Sequence, residues 1–256
     1  MNRLLVETAA LAAEAPQLAP EAVRHMKVWR LKDGEEVELF DGRGRTRLYR
    51  YRADARRLVA AGEIRFFAPT ALNLVLFACV TKGSRWDWTL EKATELGVSH
   101  IVPVLSARTI VRIPSAERGA KQARWQRIVE DAARQSDAVW LPKIEEPVDF
   151  PSVLPLVAGT RCFVGALATP PPRPLLAALD ASGRDAPGEG RDLALFVGPE
   201  GDFTPEELAE LLRLATPVSL GPTILRAETA ALYGLSVLAA YLAASRPDCK
   251  GEKTLV

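Results

Sequence analysis

Near-continuous apolar runs separated by helical stretches limit this chain to a small set of folds. The runs cover residues 72–80, 100–105, 161–167 and 193–197. An apolar run without polar alternation is typical of a strand that is buried on both faces, as in a parallel sheet. Between and after these runs, helices are expected at 86–96, 119–137 and 227–244. The alternation predicts a parallel α/β sheet with right-handed crossovers.

A different pattern occupies residues 1–70, where short segments rich in strand-forming residues are separated by turns. The strongest signal is a hairpin whose turn reads Asp41-Gly42-Arg43-Gly44. One short helix is expected over residues 20–30, because a proline suits its first turn. Several short strands favour closure into a small β-barrel. For a chain of 256 residues we therefore predict two domains, 1–70 and 71–256.

The composition argues against several classes of protein. Three cysteines without a CxxC pair and only two histidines give no pattern for a zinc site or a disulfide framework, so no metal is expected. Glu7 and Glu14 interrupt the apolar N-terminal stretch, which argues against a signal peptide. We see no run of the roughly 18 apolar residues that a membrane helix requires, so no membrane partner is expected. The cytoplasm is the expected location.

The formal net charge of +1 hides an uneven distribution. Residues 1–143 carry a net charge of +7, and residues 144–256 carry −6. The densest basic cluster consists of seven arginines, Arg43, Arg45, Arg47, Arg50, Arg52, Arg56 and Arg57. Such a cluster either neutralises RNA phosphates or forms a solvated strand face, and the sequence leaves both hypotheses open.

A glycine-rich loop follows the last apolar run. Residues 195–207 read LFVGPEGDFTPEE, so a buried strand passes through the loop into a helix. Thr204 is the expected N-cap, Pro205 suits the first helical position, and Glu207 completes a capping box. Open α/β sheets bind ligands at such strand ends. The glycine spacing matches neither the GxGxxG dinucleotide pattern nor the GxxxxGK[ST] phosphate loop.

A second glycine loop precedes the last helix. Residues 220–230 read LGPTILRAETA and place Arg226 and Glu228 in apolar surroundings. These two residues are either part of a functional site or a salt bridge at the start of the helix.

Together the two loops resemble the 16S ribosomal RNA uridine-N3 methyltransferases, the RsmE group of the SPOUT superfamily. Further segments that are similar to this family are KGSRWD at 82–87, KATELGV at 92–98, SART at 106–109, RWQRI at 124–128 and Gln135-Ser136. Near the N-terminus, His25, Val28, Arg30-Leu31 and residues 40–42 resemble its first domain. The resemblance therefore spans essentially the whole chain.

The resemblance implies a small PUA-like β-barrel followed by a SPOUT methyltransferase domain with a C-terminal trefoil knot, formed by residues from about 190 to 244. It also implies S-adenosylmethionine as the cofactor, a homodimer, and 16S rRNA in the small ribosomal subunit as the substrate. The chain departs from the family pattern at four positions, Asp202, Thr223, Ala227 and Ala138.

The same resemblance assigns candidate site residues. Arg226 is the first candidate for stabilising negative charge that develops on uracil, and Arg3 is the second. Glu200 or Glu228 would accept the proton or orient Arg226. The cofactor-binding candidates are Leu167, Val197, Gly198, Pro199, Glu200, Gly201, Leu220, Gly221, Thr223, Ile224 and Leu225. The RNA-binding candidates are Arg3, Arg30, Arg45, Arg47, Lys82, Arg85 and Arg108.

Two other functions remain open from the sequence. One is a SPOUT methyltransferase with another RNA target, such as a ribose 2′-oxygen. The other is a non-catalytic RNA-binding protein that keeps the knot as a scaffold. Binding of S-adenosylmethionine distinguishes the scaffold from both enzymes, because a scaffold does not need the cofactor.

Overall fold

A computed structural model of the chain describes residues 1–168, 170–181, 192–244 and 254–255. The chain divides into two compact units. The first contains Met1–Pro69 and Glu130–Leu141 together with the last short strand. The second contains Thr70–Val129 and the chain from Pro142 through the last helix. The boundaries 1–70 and 71–256, as limits of independently folding domains, stay a prediction.

Up to residue 66 strands mostly follow one another, whereas from residue 74 onwards strands and helices mostly alternate. In chain order they are β1 (Asn2–Leu5), α1 (Thr8–Ala12), α2 (Pro20–Trp29), β2 (Glu36–Phe40), β3 (Arg45–Arg52), β4 (Arg57–Ala60), β5 (Arg65–Phe66), β6 (Leu74–Cys79), α3 (Ser84–Glu95), β7 (His100–Leu105), α4 (Ser115–Gln135), β8 (Lys143–Ile144), β9 (Val148–Asp149), α5 (Phe150–Val157), β10 (Arg161–Gly165), α6 (Leu175–Ala181), β11 (Leu193–Val197), α7 (Pro205–Leu211), β12 (Ala215–Val218), α8 (Ala227–Ala244) and β13 (Thr254–Leu255).

The first unit is built on a six-stranded mixed sheet in the order β1-β2-β3-β5-β13, with β4 paired to β3. The predicted hairpin is present, since β2 and β3 pair antiparallel with Phe40 opposite Thr46. The helix α1 was not expected. Its C-terminal end is held by a tertiary contact: the hydroxyl oxygen of the buried Tyr49 lies 3.0 Å from the carbonyl oxygens of both Leu11 and Ala13, and its single proton is donated to this pair of acceptors.

The second unit is built on a seven-stranded sheet in the order β12-β10-β11-β6-β7-β8, with β9 also paired to β7. All of these pairings are parallel. The predicted parallel α/β fold is therefore confirmed. Both central strands, β6 and β11, are buried along their whole length, as their apolar runs predicted. The trefoil knot stays a prediction, and residues 190 and 191 of its expected range lie outside the described residues.

Aromatic packing and one close helix contact fix the core of this unit. The rings of Phe77 and Phe196 stack with centroids 5.4 Å apart, and Phe203 meets Phe196 edge to face at 5.5 Å. On the helix α8, Gly234 lies against Leu195 of β11, so closely that an added Cβ would come within 2.5 Å of a leucine methyl. This helix also packs against α3 and β6.

From the sequence we expected no segment long and apolar enough to span a membrane, and α8 is an exception to that expectation. Its 18 residues have a mean hydropathy of 1.3, so by length and composition this helix could cross a bilayer. A core helix passes the same test. Ala231, Leu235 and Leu238 of α8 are buried within the unit, which is the role that the structure describes for this helix.

Candidate functional site

A cavity of about 290 Å³ lies where three neighbouring strands end and the last helix begins. The strands β12, β10 and β11 are adjacent and parallel, so their carboxyl ends share one edge of the sheet. Ten of the eleven predicted cofactor-binding residues line this cavity: Leu167, Val197, Gly198, Pro199, Glu200, Leu220, Gly221, Thr223, Ile224 and Leu225. Gly201 does not line the cavity. The structure thus brings the two predicted loops together at one site.

The first loop, residues 198–204, ends in the predicted helix start. The Thr204 hydroxyl accepts a hydrogen bond from the Glu207 backbone N–H at 3.2 Å, and the Glu207 carboxylate accepts one from the Thr204 N–H at 3.0 Å. The predicted capping box is confirmed. In the same turn, the Glu206 carboxylate accepts a hydrogen bond from its own backbone N–H, which lowers the pKa of Glu206. At the other end of the loop, a Cβ on Gly198 would lie 2.9 Å from the Phe203 ring, so a larger residue here would have to displace that ring.

Asp202 is one of the positions that depart from the family pattern, and its backbone conformation shows that the turn of the loop is kept. Its φ of 58° lies in the left-handed region, where glycine carries no steric penalty. Aspartate tolerates this region because its short side chain bonds to the local backbone. Here the Asp202 carboxylate accepts from the Phe203 N–H at 2.8 Å. The substitution keeps the turn and adds a negative charge to the cavity lining.

Two segments outside the loop hold it in place. Arg108, just after β7, donates from Nη1 to the carbonyl oxygens of Gly201 at 2.9 Å and Phe203 at 3.1 Å. The Ala107 N–H donates to the Glu207 carboxylate at 2.8 Å. In the first turn of α3, Arg85 Nη1 lies 3.3 Å from the Glu200 carboxylate. The predicted RNA-binding residues Arg85 and Arg108 therefore both contact the first loop.

The second loop presents Arg226 to the cavity. Gly221 has a φ of 138°, and the Ser219 hydroxyl accepts from its N–H at 3.3 Å. Arg226 is exposed and lines the cavity. Glu228 is 7% exposed, and its Oε2 atom has no hydrogen-bond partner among the described residues. No hydrogen bond or ion pair joins the Arg226 and Glu228 side chains in the part of the chain that the structure describes, which gives no support to a helix-start salt bridge.

Arg3 lies in the first unit and is not part of the cavity lining. Its side chain is buried, and Nε donates to the Glu38 carboxylate at 2.8 Å. Its Nη1 donates to the carbonyl oxygens of Ala133 at 3.3 Å and Ala138 at 3.1 Å. The backbone of Ala138, another departure from the family pattern, thus serves as a partner of Arg3. These contacts are those of a residue that holds its own unit together.

The remaining RNA-binding candidates differ in their solvent exposure and in whether other residues already contact them. Arg30 and Lys82 are exposed. The Arg45 guanidinium lies 5.4 Å from the centre of the Phe66 ring. Arg47 is occupied, because it bonds to the Glu14 carboxylate at 2.6 Å and to the Gly62 carbonyl oxygen at 2.7 Å. Within the described residues, Arg47 of the arginine cluster is therefore paired with a carboxylate, whereas Arg45 is not.

Sequence reasoning missed part of the cavity. The lining residues that were not predicted to bind cofactor or substrate are Gly165, Ala166, Val218, Ser219, Asp202, Ala227 and Ala230. Gly165 and Val218 end their strands, so the rule that ligands bind at carboxyl ends would have found them. Ala230 carried no signal. Among the described residues, no group of three or more His, Cys, Asp or Glu side chains forms a metal site.

The fold and the cavity define a class of protein once they are compared with known families. A family model described as an RNA methyltransferase domain matches residues 68–239. A second model, an RNA methyltransferase PUA domain, matches residues 18–60. The first domain is therefore PUA-like, as predicted, and the chain is of the RNA methyltransferase class.

Individual relatives narrow the class to one family. Ribosomal RNA small subunit methyltransferase E from Synechocystis is 33% identical over 84% of this chain and 69% of its own length. The protein of the same name from Mycobacterium bovis is 32% identical over 87% of this chain and 86% of its own length. The chain belongs to the ribosomal RNA small subunit methyltransferase E family, and the resemblance predicted from the two loops is confirmed.

A solved relative shows the same architecture. Ribosomal RNA small subunit methyltransferase E from Neisseria gonorrhoeae, crystallised with bound S-adenosylmethionine, has a TM-score of 0.75 to this chain and is 28% identical. The match covers 94% of this chain and 98% of the other.

Proposed function

We propose that this protein transfers a methyl group from S-adenosylmethionine to N3 of a uridine in 16S rRNA of the small ribosomal subunit. The observation that carries the proposal is the position of Arg226. This arginine lines the cavity built by the two loops, and no carboxylate among the described residues pairs with it. Its guanidinium is therefore available to a substrate.

The cavity suits the cofactor that the family implies. Most of its lining residues are glycine or apolar, and backbone donors and acceptors in such a pocket can recognise an adenine ring. A Cβ on Gly165 would lie 2.8 Å from Leu220, as one on Gly198 would approach Phe203, so small residues keep both loops in place. Residues 197–200, 220–221 and 223–225, which line the cavity, would hold the cofactor, which supplies an electrophilic methyl group when bound.

The chemistry at uracil requires charge stabilisation and a proton acceptor. As N3 loses its proton to an acceptor, negative charge spreads over O2 and O4, and this charge is neutralised when N3 bonds to the methyl group. A guanidinium stabilises that charge with two parallel N–H donors and does not lose a proton itself. We assign this role to Arg226. Glu200 is assigned proton acceptance, because it lines the cavity and is partly solvent-exposed, whereas Glu228 is buried and does not line it.

A homodimer is part of the proposal. Leu167 and Ile224 line the cavity and are 61% and 79% exposed, which leaves an apolar edge on the site. Covering that edge with a second copy would remove apolar surface from water and enclose the ligand. Light scattering is expected to give twice the chain mass of 27.9 kDa. A monomer at micromolar concentration would contradict this part.

The decisive experiment is mass spectrometry of 16S rRNA nucleosides from cells with and without the gene. Loss of 3-methyluridine, restored by the wild-type gene, is the expected result. Loss of a ribose-methylated nucleoside instead would favour the alternative target. Absence of S-adenosylmethionine binding in a calorimetric titration would favour the scaffold function. Since small subunits are found in the cytoplasm, the proposal also places the protein there.

A further inference from the structure

The ion pair between Arg85 and Glu200 is looser than the other contacts of the first loop. Arg85 Nη1 lies 3.3 Å from Glu200 Oε1, and no hydrogen bond of normal geometry joins these two described side chains. Their side chains are 41% and 27% exposed. Arg108, by contrast, makes two hydrogen bonds to loop carbonyl oxygens. Of the two arginines that contact the loop, Arg85 is the one that a ligand can most readily draw away.

The chemistry of the pair indicates which ligand would do so. An exposed ion pair between a guanidinium and a carboxylate contributes little to the free energy of folding, because solvent screens it. A phosphate group offers several oxygens to the planar guanidinium fork and accepts from it in a bidentate fashion. Lys82 is exposed three residues earlier and has no ion-pair partner among the described residues. The two cations together form a place for the backbone of a nucleic acid next to the cavity.

The consequence concerns Glu200. While it pairs with Arg85, its carboxylate is partly neutralised at the cavity. We propose that Arg85 binds a phosphate of the RNA substrate by exchanging Glu200 for it, so that the Glu200 carboxylate is released into the cavity only when RNA is present. Arg85 is then a positioning residue that couples RNA binding to the proton acceptor. This inference rests on the proposed function, whose substrate it uses.

A double-mutant cycle tests the exchange. The variants are Arg85→Gln, Glu200→Gln and the double variant, with Lys92→Gln as the matched control. Lys92 lies on the same helix α3 and loses the same charge, but it pairs with Glu91 and Glu95 of its own helix. Binding to small-subunit particles is measured against salt concentration, and S-adenosylmethionine affinity is measured by calorimetry.

The exchange predicts a specific pattern. Arg85→Gln should weaken particle binding and lower the log–log salt slope by roughly 0.7–0.9, the value for one phosphate contact. Lys92→Gln should leave the slope unchanged. Glu200→Gln should strengthen particle binding because the competitor for Arg85 is gone. That gain should vanish in the double variant, whereas a general charge effect would persist. Arg85→Lys should restore the slope, which excludes misfolding as the cause of the loss.

Two results would overturn the inference. One is an unchanged salt slope for Arg85→Gln, and the other is a full gain from Glu200→Gln in the absence of Arg85. Neither result touches the proposed function, which is decided separately by methylation of the particles with the wild-type protein. If the wild-type protein fails to methylate them, the proposed function fails.

Discussion

Arg108 donates from Nη1 to the carbonyl oxygen of Gly201 at 2.9 Å, which joins the end of one strand to the loop after another. The same nitrogen reaches the Phe203 carbonyl oxygen at 3.1 Å. The family resemblance suggested Arg108 as an RNA contact. Its hydrogen bonds indicate that this arginine positions the loop that we assign to the cofactor, and its contact with RNA stays a prediction.

Replacing Arg108 should therefore weaken cofactor binding. Arg108→Ala removes two charge-assisted hydrogen bonds, and a net loss of about 1.4 kcal/mol would reduce S-adenosylmethionine affinity roughly tenfold. Arg112→Ala is the control, since Arg112 bonds only to the Ala107 carbonyl oxygen among the contacts described. Calorimetric titration gives both affinities. Equal affinities for the two variants would contradict a positioning role for Arg108.

Two helical glycines should respond to alanine in opposite directions. At Gly234 of α8, a new Cβ would lie 2.5 Å from Leu195, and overpacking of a core typically costs about 1–3 kcal/mol. At Gly119 of α4, the nearest atom would be 3.5 Å away, so Gly119→Ala should stabilise by roughly 0.5–1 kcal/mol through helix propensity. Chemical denaturation measures both changes. A stabilised Gly234→Ala variant would show that α8 does not pack this closely on β11.

Two buried thiols should be unreactive in the folded protein. Burial raises the pKa of Cys79 and of Cys162 to about 12, from an ordinary value of 9.0. At pH 8 neither thiol should be alkylated by iodoacetamide until denaturant is added, as peptide mass spectrometry can show.

The raised pKa values of Cys79 and Cys162 also make the free energy of unfolding depend on pH. The folded state keeps its protons while the unfolded thiols ionise, so this contribution is complete below pH 9 and is lost as the pH rises from about 9 to about 12.

Two neighbouring arginines of β3 should separate RNA binding from stability. Arg47 is bonded to Glu14 and to backbone carbonyl oxygens, so Arg47→Gln should destabilise the protein by about 1 kcal/mol. Arg45 has no carboxylate partner among the described residues. If it contacts one phosphate, Arg45→Gln should lower the salt slope of particle binding by roughly 0.7–0.9 with little change in melting temperature. An unchanged slope would make Arg45 part of a solvated face.

The parts of the fold that the sequence predicts well depend on local signals. The strands β6 and β11 follow from uninterrupted apolar runs, and the start of α7 follows from Thr204, Pro205 and Glu207 within four positions. The two cavity loops are recognisable from their glycine-rich sequences, and they follow β11 and β12, which lie on either side of β10 in one sheet. Each of these features is determined by residues that are close together in the chain.

The parts that could not be predicted depend on distant partners. Arg108 and Gly201 are 93 positions apart, and nothing near either residue shows that they are bonded. Arg3 bonds to Glu38 and Ala138, which are 35 and 135 positions away, and the residues next to Arg3 in the sequence indicate neither partner. Its role at the substrate stays a prediction. The helix α1 has five residues and no side-chain cap, so only its tertiary contacts stabilise it.

Arg226 offers the sharpest test of the proposed mechanism. Arg226→Ala should leave S-adenosylmethionine binding nearly unchanged, because we assign those contacts to the backbone of the two loops. The methyl-transfer step should slow by roughly 10²–10³-fold, which is typical for the loss of one donor to a developing oxyanion. Arg226→Lys should recover little of the methyl-transfer rate, because an ammonium lacks the planar fork of donors.

The measurement is single-turnover methylation of small-subunit particles, with thermal denaturation of each variant as the control for folding. Since the Arg226 and Glu228 side chains are not paired in the described structure, the melting temperature of Arg226→Ala should stay near that of the wild type. Single-turnover rates within about threefold of the wild type, well short of the tenfold that 1.4 kcal/mol represents, would remove Arg226 from the catalytic role.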